Sequence, residues 1–508
     1  MIKYLIFIIG AIFLSSCSAI SSVLEDNEEI ETVSIIEPSV TVLNSVETYV
    51  EFVPAMGGSI SIASRRPTSL NPITNTDSTV NEFLGLIFES LFIMNEGRMQ
   101  PRLAQSLESI SPNSAMLTLR GALWEDGLPV TTADVAFTIL AIRNNQSSLF
   151  DVSSIVSHEI ISESQMIINF ANVEFLEYEL VFPIIPAHYY QNRMNQPLLF
   201  PMGSGPFVLT YQTSRYLTLT RNENFRYETY ISSVNVVISP DRDTDISAFL
   251  GNIVTTLKTN KEEIAYYGLS IASFDVSPIF TYNLDFVAFN FSNPHLADVR
   301  MRKALSLAFP FSSVENIYLG QITRTSSFVH PNSRHYREGL LYRETDLSAS
   351  LNSLLLAGYT LENEVLGNAL EIFIPLRIRI LVNEENAPRM ALARAFAFNL
   401  ESLGIGVELN SLPFEEFYEA ATSSNFDILF AGSVLSNSFD FEFITENFDL
   451  DTQNLYEMQS YVNELMHIIP IGFRNDILLT RGILGNISPG PYNIFQNIYE
   501  WFVGVRAG

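Results

Sequence analysis

Residues 119–142, LRGALWEDGLPVTTADVAFTILAI, predict a strand, a turn and a helix in direct succession. Polar and apolar side chains alternate over residues 116–120 with the period of two that is typical of a half-buried strand. The WEDG sequence at 124–127 favours a bend, because Asp and Gly are common in turns and Gly tolerates positive φ. Val135, Ile139 and Ile142, with Ala136 and Leu140 beside them, then recur at helical spacing and predict one apolar helix face.

The start of this helix carries a capping signal. Thr131 lies three residues before Asp134, the spacing of a capping box. We expect the Thr131 hydroxyl to accept a hydrogen bond from the Asp134 amide, and the Asp134 carboxylate to accept one from the Thr131 amide.

Length and charge exclude several classes of protein. A chain of 508 residues exceeds one compact core, so two or three domains are expected. An apolar content of 47% is too high for a disordered chain. The net charge of −28 disfavours nucleic acid as a partner, because such binding depends on cations that neutralise phosphates.

The first seventeen residues read as a targeting signal. An apolar run at 4–13 follows Lys3 and is too short to span a bilayer as a mature helix. The sequence LSSC at 14–17 resembles a bacterial lipoprotein signal, which implies removal of residues 1–16 and lipidation of Cys17. Cys17 is the only cysteine, so an intrachain disulfide is impossible. We therefore expect an extracytoplasmic protein that is attached to the cell membrane by acyl chains.

The order of residues 119–135 resembles the signature of the bacterial extracellular solute-binding proteins, family 5, the receptors of peptide, dipeptide and nickel ABC importers. Further segments resemble this family in the expected order: SLNP (69–72), ESL (89–91), PRLA (101–104), GSGPF (203–207), AFN (288–290), DVRMRKAL (298–305) and LLLAGY (354–359). A helix with Phe83, Leu86, Ile87 and Leu91 is expected to close at ESL. Gly203 and Gly205 suit a tight backbone where a side chain would clash.

The resemblance implies an α/β protein with a two-lobed periplasmic-binding-protein-like fold, type II, of the large class with an extra subdomain in lobe 1. The expected organisation is a signal peptide (1–16), an acidic tether (17–56), lobe 1 (57–285, with the extra subdomain at about 75–195), lobe 2 (286–468) and a return to lobe 1 (469–508). Ligand is expected in the cleft between the lobes.

The same resemblance supplies candidate ligand contacts. Asn75 and Asp77 follow the SLNP turn and would face the cleft, although a solvated loop is the alternative. Phe286 and Ala288 lie at the first expected crossover between the lobes, and Phe473 lies at the second. Core packing is the alternative role for both aromatic side chains.

One stretch departs from the family pattern. Peptide-binding relatives commonly carry GWxxDYx(D/E)P after the strand equivalent to 426–430, and its Asp pairs with the α-amine of the peptide. Here residues 432–440 read GSVLSNSFD. Ser433 takes the tryptophan position, Ser436 takes the aspartate position, and Asp440 follows four residues later. These three residues complete the candidate ligand contacts.

The leading hypothesis is a monomeric, lipid-anchored receptor that delivers oligopeptides to an ABC permease with its ATPase, without a cofactor or metal. An oligosaccharide or another neutral solute is an alternative ligand, since Ser436 replaces the aspartate. A degenerate surface scaffold that has lost transport is a further alternative. Nothing singles out a catalytic pair, so we expect no enzyme. The six histidines (158, 188, 295, 330, 335 and 467) are too scattered to indicate a metal site.

Overall fold

The computed structural model describes residues 52–95, 98–145, 147, 149–171, 180–268, 274–369, 373–434, 454–482 and 484–506. All of them belong to one unit, Glu51–Gly508. The strands are β1 (Phe52–Ala55), β2 (Ser59–Ser64), β3 (Phe92–Asn95), β4 (Arg98–Pro101), β5 (Ala104–Ser111), β6 (Ser114–Leu119), β7 (Ile155–Ile160), β8 (Gln165–Phe170), β9 (Phe207–Gln212), β10 (Tyr216–Arg221), β11 (Ser233–Ile238), β12 (Thr256–Thr259), β13 (Asp275–Phe289), β14 (Ile322–Arg324), β15 (Tyr359–Glu362), β16 (Val365–Ala369), β17 (Phe373–Pro375), β18 (Arg377–Asn383), β19 (Gly406–Leu412), β20 (Ile428–Val434), β21 (Ile468–Thr480), β22 (Leu484–Gly485) and β23 (Phe502–Arg506).

Helices are interspersed among these strands. They are α1 (Ser78–Leu84), α2 (Thr132–Asn145), α3 (Ala187–Tyr190), α4 (Arg242–Leu250), α5 (Lys261–Tyr266), α6 (Pro294–Ala297), α7 (Val299–Ala308), α8 (Val314–Ile317), α9 (Leu347–Leu356), α10 (Ala387–Ser402), α11 (Phe414–Thr422) and α12 (Leu455–Leu465), with 3-10 turns at Phe311–Ser313 and Ile498–Glu500. Within the described ranges, every helix is too short or too polar to cross a bilayer.

The largest sheet in the described part of the chain runs in the order β19-β18-β20-β13-β21-β12-β2-β11-β10-β9, and β14 also pairs with β21. Its two longest strands, β13 and β21, are antiparallel neighbours in the middle of this order. The carboxyl half of β13 pairs with β20 on its other side. The carboxyl half of β21 pairs instead with β12. Two half-sheets are therefore joined by one ribbon of two strands.

Separate hydrophobic cores lie on the two half-sheets. The first core takes Ile279 from β13 and Leu478 from β21, together with buried side chains from residues 60–236 and 494–501. The second core takes Val287 from β13 and Ile469 from β21, with buried side chains between residues 289 and 471. Because the ribbon contributes to both, neither core is complete without β13 and β21.

The strand–turn–helix unit of residues 119–142 is confirmed as β6, a turn and α2. Trp124 in the turn is fully buried, and its indole Nε1 donates to the Asp134 carboxylate at 3.4 Å. The same carboxylate accepts from the backbone amides of Thr131 and Ala187, both at 2.8 Å. Asp134 thus joins the turn, the helix and the start of α3. Leu140, expected on the apolar face, is 46% exposed.

The predicted capping box is half right. The Asp134 carboxylate accepts from the Thr131 amide as expected, but the Asp134 amide donates to the Thr131 carbonyl at 3.1 Å. The Thr131 hydroxyl instead donates to the Asp134 carboxylate at 3.0 Å. A carboxylate that already collects several N–H donors is the stronger acceptor for this hydroxyl.

The helix expected to run to ESL is shorter than predicted, because it ends at Leu84. The carbonyls of Leu86 and Ile87 accept from the amides of Phe207 and Gly205, at 3.1 and 2.8 Å. This pairing uses the acceptors that a longer helix would need. A Cβ atom on Gly205 would lie 2.7 Å from the Ile87 carbonyl oxygen, and one on Gly203 would lie 1.9 Å from it. The predicted need for glycine at 203 and 205 is confirmed.

A buried ion pair fixes the carboxyl half of β13 to α10. The Asp285 carboxylate is 1% exposed, and it accepts from the Arg389 guanidinium at 2.5 Å and from the Tyr318 hydroxyl at 2.6 Å. Burial and the Asp285 charge both raise the pKa of Tyr318, so the phenol stays protonated as a donor. A Cβ atom on Gly432 of β20 would lie 1.8 Å from the Arg389 guanidinium. The ion pair therefore requires glycine at 432.

Asp285→Asn should lower the free energy of unfolding by about 3–5 kcal/mol, because it leaves the Arg389 charge without its counterion in a buried site. Chemical denaturation measures this loss. The matched control is Asp298→Asn, whose partner Arg300 is 62% exposed and whose loss should be below about 1 kcal/mol. Equal losses in the two variants would contradict the assignment of a buried, structurally required charge to Asp285.

Acid should destabilise the fold through His330. Burial lowers the pKa of this 3%-exposed imidazole to about 4, whereas an unfolded histidine titrates near 6.5. Between about pH 6.5 and pH 4 only the unfolded chain takes up this proton, so stability is present above 6.5 and falls as the pH decreases to 4. The expected loss is about 3 kcal/mol.

Denaturation curves of wild type and His330→Phe across this pH range would isolate the contribution. The other buried histidines are common to both proteins, so they cancel in the comparison. The His330→Phe variant should lose about 3 kcal/mol less than the wild type between pH 6.5 and 4. Parallel curves for the two proteins would rule out His330 as a source of the pH dependence.

Candidate ligand-binding site

A cavity of about 830 Å³, called here the main cavity, lies beside the ribbon of β13 and β21. Its wall includes α1 and the segment that follows it, Lys258 of β12, the 281–283 segment of β13, Asp476 of β21 and residues 491–496 near the carboxyl terminus. Proteins commonly hold small ligands in clefts of about 300–1,000 Å³. Its position on the ribbon makes it the candidate ligand site.

An irregularity in the ribbon shapes the cavity wall. The antiparallel register between β13 and β21 shifts between Ile279 and Asn283. Inside this shift the Thr281 hydroxyl donates to the Arg474 carbonyl, and the Asn283 amide donates to the Thr281 hydroxyl at 3.1 Å. Bulges twist a strand locally and turn side chains in new directions. Here Thr281, Tyr282 and Asn283 all line the main cavity.

Two stacked tyrosines form one wall. The Tyr282 and Tyr492 rings are 5.6 Å apart between centroids and inclined by only 7°. The Tyr282 hydroxyl also contacts the Met94 sulfur, and Met94 lines the same cavity. The stack joins the ribbon to the carboxyl-terminal segment and presents aromatic surface to a ligand.

A charged cluster with two carboxylates and one ammonium group occupies another part of the wall. Lys258 Nζ lies 3.2 Å from Glu82 Oε1 and 3.7 Å from Asp476 Oδ2. Each of the three side chains is 25–31% exposed, so their charged ends face the cavity. Burial alone would lower the pKa of Lys258, but the attraction of Glu82 and Asp476 outweighs it and raises that pKa. Lys258 is therefore charged, and the cluster has a net charge of −1.

A second cluster has the opposite sign. The Glu89 carboxylate, 3% exposed, pairs with Arg102 Nε at 2.9 Å and with Arg226 Nη1 at 2.7 Å, and it accepts from the Ser204 hydroxyl at 3.0 Å. Arg102 also stacks over the Tyr499 ring at 4.5 Å. Two guanidinium groups therefore share one carboxylate, and both Glu89 and Arg102 line the main cavity.

Two smaller cavities share parts of this wall. One of about 180 Å³, called here the recess, shares Glu82, Lys258 and Asp476 with the main cavity and adds Thr256. The other, about 230 Å³, shares Thr281, Tyr282 and Pro491 and adds His330. Glu89 and Arg102 line neither of these smaller cavities.

The predicted contacts Asn75 and Asp77 build the start of α1. Asn75 is fully buried, and its side-chain amide donates to the Asp77 carbonyl at 2.7 Å. The Asp77 carboxylate caps α1 by accepting from the amides of Thr79 and Val80, at 2.8 and 3.2 Å. Neither residue lines the main cavity, although α1 does through Ser78, Asn81, Glu82 and Leu84. Their ligand role stays a prediction.

The remaining candidates lie in a small core, on β20 or outside the described residues. Phe286 and Phe473 are buried in one cluster, against which Ala288 also packs, and the Phe473 ring lies 4.7 Å from that of His330. Ser433 is half-buried on β20, opposite Leu284. None of these four lines the main cavity. Ser436, Asp440 and Cys17 lie outside the described residues, so the ligand roles and the lipidation stay predictions.

The sequence contained a signal for the missed cluster. The chain has only four lysines, at 3, 258, 261 and 303, and Lys258 interrupts an otherwise uncharged strand, TLKT. A lysine in such a strand indicates a buried carboxylate partner. Glu82 and Asp476 had no comparable signal, because their proximity to Lys258 depends on pairing across more than 170 residues.

The site is suited to binding. It combines aromatic surface with clusters of opposite net charge, and among the described residues no group of three or more potential metal ligands is positioned to hold an ion.

A family model for "Bacterial extracellular solute-binding proteins, family 5 Middle" matches residues 98–454, more than half of the chain. The chain belongs to this family. Family members bind peptides or small ligands outside the cytoplasm and work with an ABC permease.

Solved structures share the fold. The substrate-binding protein CtaP of an ABC transporter from Listeria monocytogenes has a TM-score of 0.71 and 18% identity, over 88% of this chain and 99% of its own. The oligopeptide-binding protein AppA from Bacillus subtilis, in complex with a nonapeptide, has a TM-score of 0.58 and 17% identity, over 89% and 100%. The predicted two-lobed periplasmic-binding-protein-like fold is confirmed.

Curated relatives match over shorter stretches. The peptide transport periplasmic protein SapA of Haemophilus influenzae is 24% identical over 276 residues, which cover 52% of this chain and 46% of SapA. The matches to the curated relatives cover 38–46% of the relatives' own length. These relatives and structures are solute-binding proteins.

Proposed function

We propose that this protein is a lipid-anchored receptor of an ABC importer and that it captures oligopeptides in the main cavity, without catalysing a reaction. The observation that carries the proposal is the 830 Å³ cavity on the ribbon. The negative Glu82–Lys258–Asp476 cluster lies on its wall, and the positive Glu89–Arg102–Arg226 cluster reaches the wall through Glu89 and Arg102. A peptide has an ammonium group, a carboxylate and an uncharged backbone between them. SapA is named for peptide transport, and AppA holds a nonapeptide, which supports the same ligand class.

The mechanism is closure of the two lobes. The expected lobe boundaries, 57–285 with 469–508 and 286–468, meet on β13 and β21, which contribute to both hydrophobic cores. A ligand that contacts both lobes stabilises the closed arrangement, because only there does it make all its contacts. A permease that binds the closed arrangement better than the open one then selects loaded receptors.

An oligosaccharide is the second candidate ligand. The stacked pair Tyr282–Tyr492 offers the flat aromatic surface on which sugar rings pack, and Ser436 stands where peptide-binding relatives commonly carry aspartate. The charged clusters favour the peptide, because a neutral sugar would leave their excess charges without partners.

Ligand panels should separate these classes. We expect random-sequence pentapeptides to raise the melting temperature of the full-length protein in detergent, because a ligand that binds only the folded state stabilises it by mass action. Parallel panels of malto-oligosaccharides and of divalent metal ions complete the test. A response to sugars alone would replace the peptide proposal. Silence in all panels would indicate a scaffold that has lost transport, and turnover of any ligand would indicate an enzyme.

Membrane attachment depends on Cys17 in this proposal. Cys17→Ser should release the protein into the soluble fraction of its bacterial host, because it removes the acyl chains that hold the protein on the bilayer. Fractionation followed by immunoblotting measures the distribution. Ser16→Ala, which changes a neighbouring residue and keeps the thiol, is the control and should stay in the membrane fraction. A Cys17→Ser protein that remains with the membrane would refute the lipid anchor.

A further inference from the structure

The recess beside the main cavity has more acidic than basic groups. Its wall and the direct ion-pair partners of that wall contain four carboxylates and three cations: Glu82, Asp245, Glu263 and Asp476 against Arg65, Arg242 and Lys258. Two pairs are complete in themselves, Arg65 with Asp245 and Arg242 with Glu263, both at 2.9 Å. The unbalanced negative charge therefore belongs to Glu82 and Asp476, which share Lys258.

A buried hydroxyl at the same place also lacks a partner. Thr256 lines the recess, is 2% exposed, and its Oγ1 atom has no hydrogen-bond partner. Buried polar atoms in folded proteins are nearly always paired, so an unpaired one in a cavity wall indicates a missing partner such as a ligand. Thr256 is thus an observation independent of the charge balance.

We propose that Glu82, Asp476 and Thr256 bind a primary ammonium group of the ligand, and that Lys258 only partly neutralises the two carboxylates. Within the proposed oligopeptide receptor, on which this inference rests, that group is the peptide's α-amine. A primary ammonium has three N–H donors, and the recess offers two carboxylates and one hydroxyl as acceptors.

The rest of the wall favours this end of the cavity for a cation. The Glu89–Arg102–Arg226 cluster, which is absent from the recess, has an excess positive charge and would repel an ammonium group. The exposure of Glu82 and Asp476, 25% and 31%, leaves their oxygens accessible from the cavity. Charge-assisted hydrogen bonds of this kind are about twice as strong as neutral ones.

The test compares free and blocked amines. A mixture of lysine-free random pentapeptides and the same mixture after N-acetylation are titrated against the full-length protein in detergent, and apparent affinities are read from the melting-temperature shifts. Wild type should bind the acetylated mixture at least about tenfold more weakly, because acetylation removes the charge and two donors. Glu82→Gln and Asp476→Asn should lose this preference. Glu108→Gln, an exposed carboxylate outside the cavity, should keep it.

Lys258 separates recognition of charge from a structural role. Lys258→Gln increases the negative excess, so it should bind the free-amine mixture as well as or better than wild type. A cluster needed only for folding would instead weaken binding in all three cluster variants. Equal binding of both mixtures by wild type, or a preference retained in Glu82→Gln and Asp476→Asn, would overturn the ammonium site but leave the peptide receptor intact. A wild type that responds to neither mixture would refute the oligopeptide receptor and this site with it.

Discussion

The hydrogen-bonded ribbon of β13 and β21 is the constraint on which the rest of the structure depends. Each strand contributes side chains to one hydrophobic core near its start and to the other core near its end. The ladder of backbone hydrogen bonds between the two strands therefore connects both cores. A ladder of this length resists sliding, because a shift by one residue would turn every buried side chain to the opposite face. The two half-sheets can therefore move relative to one another only where the ladder is irregular, which is at residues 279–283 and again between Asp285 and Phe286.

The irregularity at residues 279–283 explains why the site lies where it does. A regular strand would send Thr281 and Tyr282 to opposite faces of the sheet, whereas both line the main cavity. The unpaired backbone of the bulge is satisfied locally by the Thr281 hydroxyl, which contacts the Arg474 carbonyl. Ligand contact and backbone irregularity thus come from one short segment. A change in the angle between the half-sheets would therefore move the side chains that line the cavity.

Local signals in the sequence predicted local structure well. WEDG and the Thr131–Asp134 spacing indicated a turn and a helix start, and both are present because their hydrogen bonds close within a few residues. Gly203 and Gly205 indicated a close backbone approach, although not that its partner is Ile87. Long-range pairs were harder to predict, both in the fold and in the site: Asp285 and Arg389 are 104 residues apart, and Glu82 and Lys258 are 176 apart. Only the folded register brings such partners together, so nothing in the local sequence indicated that Tyr282 and Asp476 line the cavity.

The distribution of charge follows from the same register. The chain has 56 acidic and only 28 basic residues, so its carboxylates cannot all have a cationic partner of their own. The buried ones are different. Glu89 and Asp285 are held by guanidinium groups, and Asp134 by backbone and side-chain donors, because a buried carboxylate without such partners would be strongly destabilising. Glu82 and Asp476 are intermediate between exposed and fully buried carboxylates. They are 25% and 31% exposed, and one shared lysine neutralises them only partly. Contact with water stabilises a half-neutralised carboxylate pair on the wall of a cavity when no ligand is bound. A cationic ligand stabilises the pair further, so the unliganded fold already favours binding of a positive group.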